Sequence, residues 1–341
     1  MRHVTYDRPM KTVQQHILDR QSRHPDATGE FSSLLSGITL ATKIIQAQVQ
    51  RAGLIDVLGA TGEENVQGEE VQKLDDIAND TLLRCLGHRG NVGILVSEEE
   101  AERRLLRDVA EAGKYIVLFD PLDGSSNIHT PVAIGTIFSV LQRSPGAWRA
   151  DVMADVLQPG YRQVAAGYVV YGSSTVMVYS CGDGLHMFTL EPSIGAYLLT
   201  QEDMTMPADG RTYSVNEAHY SRFPAATQAY LDWVETDEAG GYSLRYVGSL
   251  VADFHRTLMN GGVFLYPETT DSPNGKLRLL YEANPLAFLA EQAGGKAVDG
   301  TERILQKQPQ SMHERTPLII GSSAEVDRVL SFRDQDQDGG T

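Results

Sequence analysis

Five apolar residues rich in β-branched and aromatic side chains, Tyr115-Ile116-Val117-Leu118-Phe119, run directly into Asp120-Pro121-Leu122-Asp123-Gly124-Ser125-Ser126-Asn127. The apolar run reads as a buried strand. Pro121 has no N–H and keeps Asp120 out of the helical region, so the strand is expected to end there. Gly124 to Asn127 form a small-residue loop whose amides and hydroxyls can approach an anion closely. Two hard anionic groups beside a phosphate-sized nest point to metal-assisted phosphate chemistry. Asp-Pro-x-Asp-Gly is also common turn composition, so the rest of the chain has to decide.

A chain of 341 residues is long enough for one large α/β domain or two subdomains sharing an interface. Its net charge of −16 argues against a nucleic-acid binder working through a basic surface. An acidic protein that handles a phosphate ester must gather cations locally, as bound metal or clustered Lys and Arg. Two cysteines, Cys85 and Cys181, suggest neither a disulfide framework nor a zinc site. The N-terminal MRHVTYDRPMKTVQQH lacks the apolar centre of a signal peptide, and no run approaches about 18 apolar residues. No membrane span and a cytoplasmic location are expected.

Along the chain, Leu34, Leu35, Ile38, Ala41, Ile45 and Val49 have helical spacing, with Gly53 as the stop. Residues 58–69 are Gly-rich and acidic and read as a mobile loop. A second helix is predicted from about Glu70 to Leu86, with Asp75 at the margin of its apolar stripe, where it needs a partner. Gly93 to Ser97 is a short strand, and the acidic run Glu98-Glu99-Glu100 reads as the start of a following helix. Three β-rich segments come next: Thr136–Leu141, Val164–Tyr171 and Thr175–Tyr179. A polar connection near residue 200 marks a subdomain boundary, giving segments 1–200 and 201–335 and a frayed tail, 336–341. The second segment holds a helix in SLVADFHRTLM, strands in VFLY and KLRLLYE, and a helix opening at Asn284-Pro285.

Glu98 and Glu99, Asp120 and Asp123, and Glu282 each follow a predicted strand. Ligands collect at the carboxyl ends of strands in open α/β sheets. Oxygen ligands without His or Cys suit Mg²⁺ or Mn²⁺. Two or more such ions would bind phosphoryl oxygens, stabilise the leaving alkoxide and activate water, with Asp75 and Glu99 as candidates to hold and deprotonate that water. No nucleophile elbow or Walker A pattern offers another route. Lys276 and Arg278 alternate along one predicted strand and so share a side. Such a pair supplies local positive charge of the kind an acidic chain needs beside a phosphate.

FDPLDGSSN, LVSEE, QGEEVQKLD, SVNEA, RYVGSLVADFHRTL, GGVFLYP and SPNGKLRLLYEANP together resemble class I fructose-1,6-bisphosphatase over roughly residues 12–325. DPLDG alone marks the wider metal-dependent sugar and inositol phosphatase superfamily. The resemblance implies a layered α/β/α/β/α sugar-phosphatase fold with two subdomains, usually a homotetramer. It implies Mg²⁺-dependent hydrolysis of fructose 1,6-bisphosphate to fructose 6-phosphate in gluconeogenesis or Calvin-type carbon metabolism. Metal ligands fall on Glu98, Glu99, Asp120, the Leu122 carbonyl, Asp123 and Glu282, and water-activating carboxylates on Asp75 and Glu99. Substrate contacts fall on Asp123, Gly124, Ser125, Ser126, Asn216, Tyr246, Tyr266, Lys276 and Arg278. Arg245 would reach the 6-phosphate held by a neighbouring subunit. The residue three after Asn216, often tyrosine, is His219, and Tyr220 follows; Tyr220 is counted among the substrate contacts, and either of the two would meet the 6-phosphate. An inhibitory AMP site is matched in part by Thr28, Gly29, Glu30, Lys114 and Tyr115. Ser32 stands there for a usual threonine, and Gln142 for a usual arginine, with Arg143 one residue later. Sedoheptulose 1,7-bisphosphate is the alternative substrate. A catalytically silent sugar-phosphate sensor is the reading from another class, and the complete carboxylate set opposes it.

Overall fold

The computed structural model describes residues 10–21, 29–54, 59–64, 70–89, 91–106, 113–143 and 152–338. In chain order the elements begin with α1 (Val13–Gln21), α2 (Glu30–Val49), the antiparallel pair β1 (Ala60–Glu64) and β2 (Glu70–Gln72), and α3 (Lys73–Gly87). Then come β3 (Val92–Ser97), β4 (Arg104–Leu105), β5 (Tyr115–Asp123), β6 (Ile134–Gln142), α4 (Val152–Val156), β7 (Gln163–Tyr171), β8 (Thr175–Ser180), β9 (His186–Glu191) and β10 (Ala196–Gln201). The second half holds β11 (Thr212–Ser214), α5 (Ala225–Val234), β12 (Ser243–Leu244), α6 (Leu250–Asn260), β13 (Val263–Tyr266), β14 (Leu277–Arg278) and α7 (Asn284–Gln292). It closes with β15 (Lys296–Val298), β16 (Arg315–Thr316), β17 (Leu318–Gly321) and α8 (Ser323–Asp338).

Strands β3 to β10 form an eight-stranded sheet in the order β10-β9-β8-β7-β6-β5-β3-β4, and a five-stranded sheet follows the order β12-β11-β13-β17-β15. Strand alternation explains how the large sheet is covered on both faces. Leu95, Val117 and Phe119 pack with Leu34, Ile38 and Leu82 of α2 and α3. Their neighbours Ile94, Val96, Ile116 and Leu118 face the opposite way, toward Leu280 and Tyr281. Helices α6 and α7 fill the space between the sheets, where Phe254 and Leu286 meet Ile137 and Tyr168 on one side and Phe264 and Ile320 on the other. Tyr230 of α5 and Val326 of α8 cover the outer face through Leu265 and Ile319. The chain is therefore a layered α/β/α/β/α molecule. Among the described residues, no helix is long and apolar enough to cross a membrane.

Several expected boundaries move. Strand β5 does not end at Asp120 but continues through Pro121 to Asp123. The pairing with β6 slips between Asp120↔Ile137 and Asp123↔Gly135, so the missing proline N–H falls at an irregularity of the ladder. Arg104 and Leu105 do not open a helix; they pair with Leu95 and Ile94 as the edge strand β4. KLRLLYE is a strand only at Leu277–Arg278, and Leu279–Ala283 form a π-helical turn leading into α7. Helix α8 runs to Asp338, into the segment expected to fray. The loop expected over 58–69 falls partly outside the described residues, as does Thr28.

Candidate active site

The C-terminal ends of β3 and β5, the N-terminus of α6 and the turn before α7 meet around a cavity of about 510 Å³. Asp75, Glu98, Glu99, Asp120, Leu122, Asp123 and Glu282 all line it. Their convergence follows from the topology. Parallel pairing of β3 with β5 sets Ser97 beside Phe119, so the two acidic strand ends emerge together. The π turn then brings in Glu282, whose carboxylate accepts the Arg278 N–H.

Asp120, Asp123 and Glu282 are buried, and one carboxylate oxygen from each lies within 4.8 Å of the others. Asp120 Oδ1 accepts the Leu122 N–H at 2.9 Å. Asp123 Oδ2 accepts the Val251 N–H at 2.8 Å and the Ser249 hydroxyl at 3.2 Å, which ties the motif to α6. Burial, reinforced by neighbouring Glu98, pushes the carboxyls of Asp120 and Glu282 well above the usual range. Burial also pushes Asp123 up to about 6, against the hydrogen bonds from Val251 and Ser249, which favour its charged form. Asp75 rises to about 8, through burial and then the nearby Glu99 charge. A cluster of like charges held out of water in this way requires protons or cations. The donor set consists of hard oxygens, which suits a divalent metal such as Mg²⁺ or Mn²⁺. Arg278, 2% exposed, places Nε 3.3 Å from Glu98 Oε1 and offsets part of the charge.

The small-residue loop forms the floor. Gly124 has φ +79°, and a Cβ there would come within 2.9 Å of Ser249, so the close approach of α6 requires glycine. Asn127 Nδ2 donates to the Gly248 carbonyl at 3.0 Å. Tyr246, Tyr266 and Lys276 complete the wall. Tyr266 and Lys276 also line an adjoining pocket of about 50 Å³ with Asn216, His219, Arg222 and Asp271. There Arg222 bonds His219 Nδ1 at 2.7 Å and Asp271 at 2.8 Å.

The structure separates some residues that the sequence grouped. Tyr220 does not line either cavity; its hydroxyl donates to Asp232 at 2.6 Å, and His219 occupies the pocket instead. A 3₁₀ turn over Glu217–Arg222 directs consecutive side chains apart. Arg278 does not stand with Lys276 at the second pocket but on the carboxylate side of the main cavity. Arg245 is exposed, bonds the Leu244 carbonyl, and lines neither cavity. Far from these, Gly29 and Glu30 at the N-terminus of α2 meet Lys114 and Tyr115, with Lys114 Nζ 3.7 Å from Glu30 and 5.5 Å from the Tyr115 ring centroid. Gln142 is exposed, whereas Arg143 is buried against Asp155.

Two contributors escaped the sequence reading. Ser249 donates to Asp123, and the fully buried Asp253 accepts the Val247 and Gly248 N–H groups and pairs with Arg256, holding the turn beneath Tyr246. The available signal was an acid lying on the apolar stripe Leu250, Val251, Phe254, Leu258.

Comparison with known proteins gives one answer across the chain. The family model for the fructose-1,6-bisphosphatase N-terminal domain matches residues 11–202, and that for its C-terminal domain matches residues 206–334. The fructose-1,6-bisphosphatase class 1 of Chlorobium luteolum is 54% identical over 94% of this chain and 97% of the relative. That of Nitratidesulfovibrio vulgaris is 52% identical over 94% and 97%. A solved structure of Leishmania major fructose-1,6-bisphosphatase in holo form superposes with a TM-score of 0.90 at 38% identity, covering 96% of this chain and all of that one.

Proposed function

The chain belongs to the class 1 fructose-1,6-bisphosphatase family, and we propose that it removes the 1-phosphate of fructose 1,6-bisphosphate with Mg²⁺ held by its buried carboxylates. The observation that carries this reading is the approach of Asp120, Asp123 and Glu282 within 4.8 Å in a cavity that continues into a second, cation-lined pocket. A substrate with two terminal phosphates spans those two ends.

Glu98, Glu99, Asp120, the Leu122 carbonyl, Asp123 and Glu282 would hold the ions, two or more per chain, with Mn²⁺ as an alternative. When bound, they neutralise charge on the transferring phosphoryl group and the leaving alkoxide and make water more acidic. Asp75 and Glu99 orient the attacking water and take its proton; burial and then the Glu99 charge push Asp75 up to about 8, which makes its carboxylate a stronger base. Ser125, Ser126 and the backbone at Gly124 face the reacting phosphate. Tyr246 and Tyr266 seat the sugar, and Asn216, His219 and Lys276 bind the second phosphate. Arg245, exposed and outside its own chain's pockets, serves a neighbouring subunit in a homotetramer. Exposed apolar Leu18, Leu40 and Ile44 on α1 and α2 support such an assembly.

AMP is the proposed inhibitor, bound where Gly29, Glu30, Lys114 and Tyr115 converge beside Thr28. The exposed Gln142 in place of an arginine predicts weak inhibition; a flat activity curve through millimolar AMP would remove the proposal. The substrate is tested by phosphate release from fructose 1,6-bisphosphate and sedoheptulose 1,7-bisphosphate side by side. Preference for the fructose ester supports the reading, comparable rates make the enzyme dual-purpose, and turnover of neither returns the chain to a sensor.

A further inference from the structure

At the edge of the large sheet opposite the carboxylate cavity, α1, the start of β9 and the end of β10 bring His16, His186 and Glu202 together. One ligating atom from each lies within 4.8 Å of the other two. The geometry of the two imidazoles is directional. His16 is fully buried, with Nδ1 2.8 Å from the Tyr179 hydroxyl. Its Nε2 has no hydrogen-bond partner and lies 3.3 Å from Glu202 Oε1. Donation from Nδ1 to Tyr179 would therefore leave the Nε2 lone pair aimed at the cluster. His186 Nε2 lies 3.2 Å from the Asp183 carbonyl, which only accepts, so that nitrogen carries the proton and Nδ1 keeps a lone pair. The Asp203 N–H reaches Nδ1 at 3.2 Å, a long contact that a cation would displace. His16 thus has one nitrogen beside an outer partner and the other facing Glu202, and His186 is anchored at Nε2 with a lone pair left on Nδ1, the kind of arrangement that orients histidine ligands.

Arg20 lies alongside and has its own carboxylates. It bonds Asp183 at 2.6 Å and Asp203 at 2.8 Å, and stands 3.6 Å from Glu202. Glu202, with a side chain 41% exposed, is the acid left nearest the imidazoles and gives an ion a route from solvent. Two imidazole nitrogens and one carboxylate form a borderline donor set, distinct from the all-oxygen set of the main cavity.

We propose that His16, His186 and Glu202 bind a divalent transition cation of the Zn²⁺ or Co²⁺ kind, with water completing its coordination. Such an ion clamps α1 onto the β9–β10 edge. The inference does not depend on the hydrolytic reading, because it uses none of that cavity's residues.

The test is a Co²⁺ titration of the full chain, stripped with chelator and then saturated with Mg²⁺ to fill the carboxylate cavity, followed by visible absorption and by electron spin-echo detection of imidazole nitrogen. The expected result is one further equivalent of Co²⁺ per chain with two coordinated imidazoles. Glu202→Gln, conservative and at the surface, should weaken that binding by about tenfold or more with unchanged Mg²⁺-supported phosphate release. His16→Gln should abolish the imidazole signal. Equal Co²⁺ binding by wild type and Glu202→Gln, or no imidazole signal in the wild type, overturns the proposal. So does a signal lost in Asp120→Asn but kept in Glu202→Gln.

Discussion

The two ends of the main cavity are built on opposite physical terms. At one end Asp120, Asp123 and Glu282 are buried carboxylates held by backbone N–H groups and the Ser249 hydroxyl. At the other end Lys276 is exposed on a loop, and beyond it, in the adjoining pocket, His219 and Arg222 stand on the 3₁₀ turn over Glu217–Arg222. The first end concentrates charge that the folded chain alone tolerates poorly, and a bound cation relieves it. The second end gathers cations near water, where they can release one phosphate and receive another. On the proposed reading, cation binding and chemistry would belong to the sheet ends, and substrate choice to the turns and loops.

The largest effect that would break this contrast lies at the carboxylate end. Asp123→Asn should fold normally yet lose on the order of a thousandfold in turnover, because an amide is a weaker ligand for a hard divalent ion. Its circular-dichroism spectrum and phosphate-release rate measured together check this; near-normal turnover in a folded variant would remove Asp123 from the site. Next in size, Lys276→Ala should raise KM for the bisphosphate about tenfold, the loss of one charge-assisted hydrogen bond, with kcat reduced less. Arg245→Ala should raise KM also, but only in the assembled oligomer. A fall in kcat alone in either variant would contradict a binding role.

The electrostatic contrast has its own signature in stability. The folded pKa values of Asp123 and Asp75 rise from 3.8 to about 6 and about 8, so between pH 4 and 8 the folded state holds more protons than the unfolded one. Their contribution is fully present below pH 4 and is lost as pH rises through those values. Chelated protein should therefore lose several degrees of melting temperature from this source as pH rises from 5 to 8, and Mg²⁺ should restore more at pH 8 than at pH 6. A Mg²⁺-induced shift independent of pH would argue against cation relief of these groups. The smallest effect is expected at Tyr220→Phe, which removes a hydroxyl bonded to Asp232 and should leave kcat and KM unchanged, whereas His219→Ala should raise KM several-fold.

The same contrast accounts for what could be read from the chain. Tyr115–Asp123 announces itself through an apolar run followed by acids, because strand burial and metal ligation both leave local patterns. Most of the carboxylate set was legible for that reason, whereas the layering was legible only through the resemblance to the family. Glu282 was identified in the right group but on the wrong element: its position depends on a π turn stabilised by its own carboxylate, which no apolar periodicity records. Whether His219 or Tyr220 enters the second pocket depends on a 3₁₀ turn, where one residue of phase reverses the outcome. Likewise Arg278 is turned from its sequence neighbour Lys276 toward Glu98, which lies 180 positions earlier in the chain. Ser249 acts through a contact with Asp123 made only after the start of α6 meets the end of β5, whereas Asp253 acts on its own turn through the Val247 and Gly248 N–H groups.

The central claim is that the buried carboxylates hold the cations on which hydrolysis depends. Its most direct test is phosphate release from fructose 1,6-bisphosphate across a Mg²⁺ titration of chelator-stripped protein. The expected result is no turnover in chelator and saturable recovery with Mg²⁺, absent at every concentration in the folded Asp120→Asn variant. Undiminished release in chelator, or full Mg²⁺ recovery by that variant, would contradict it.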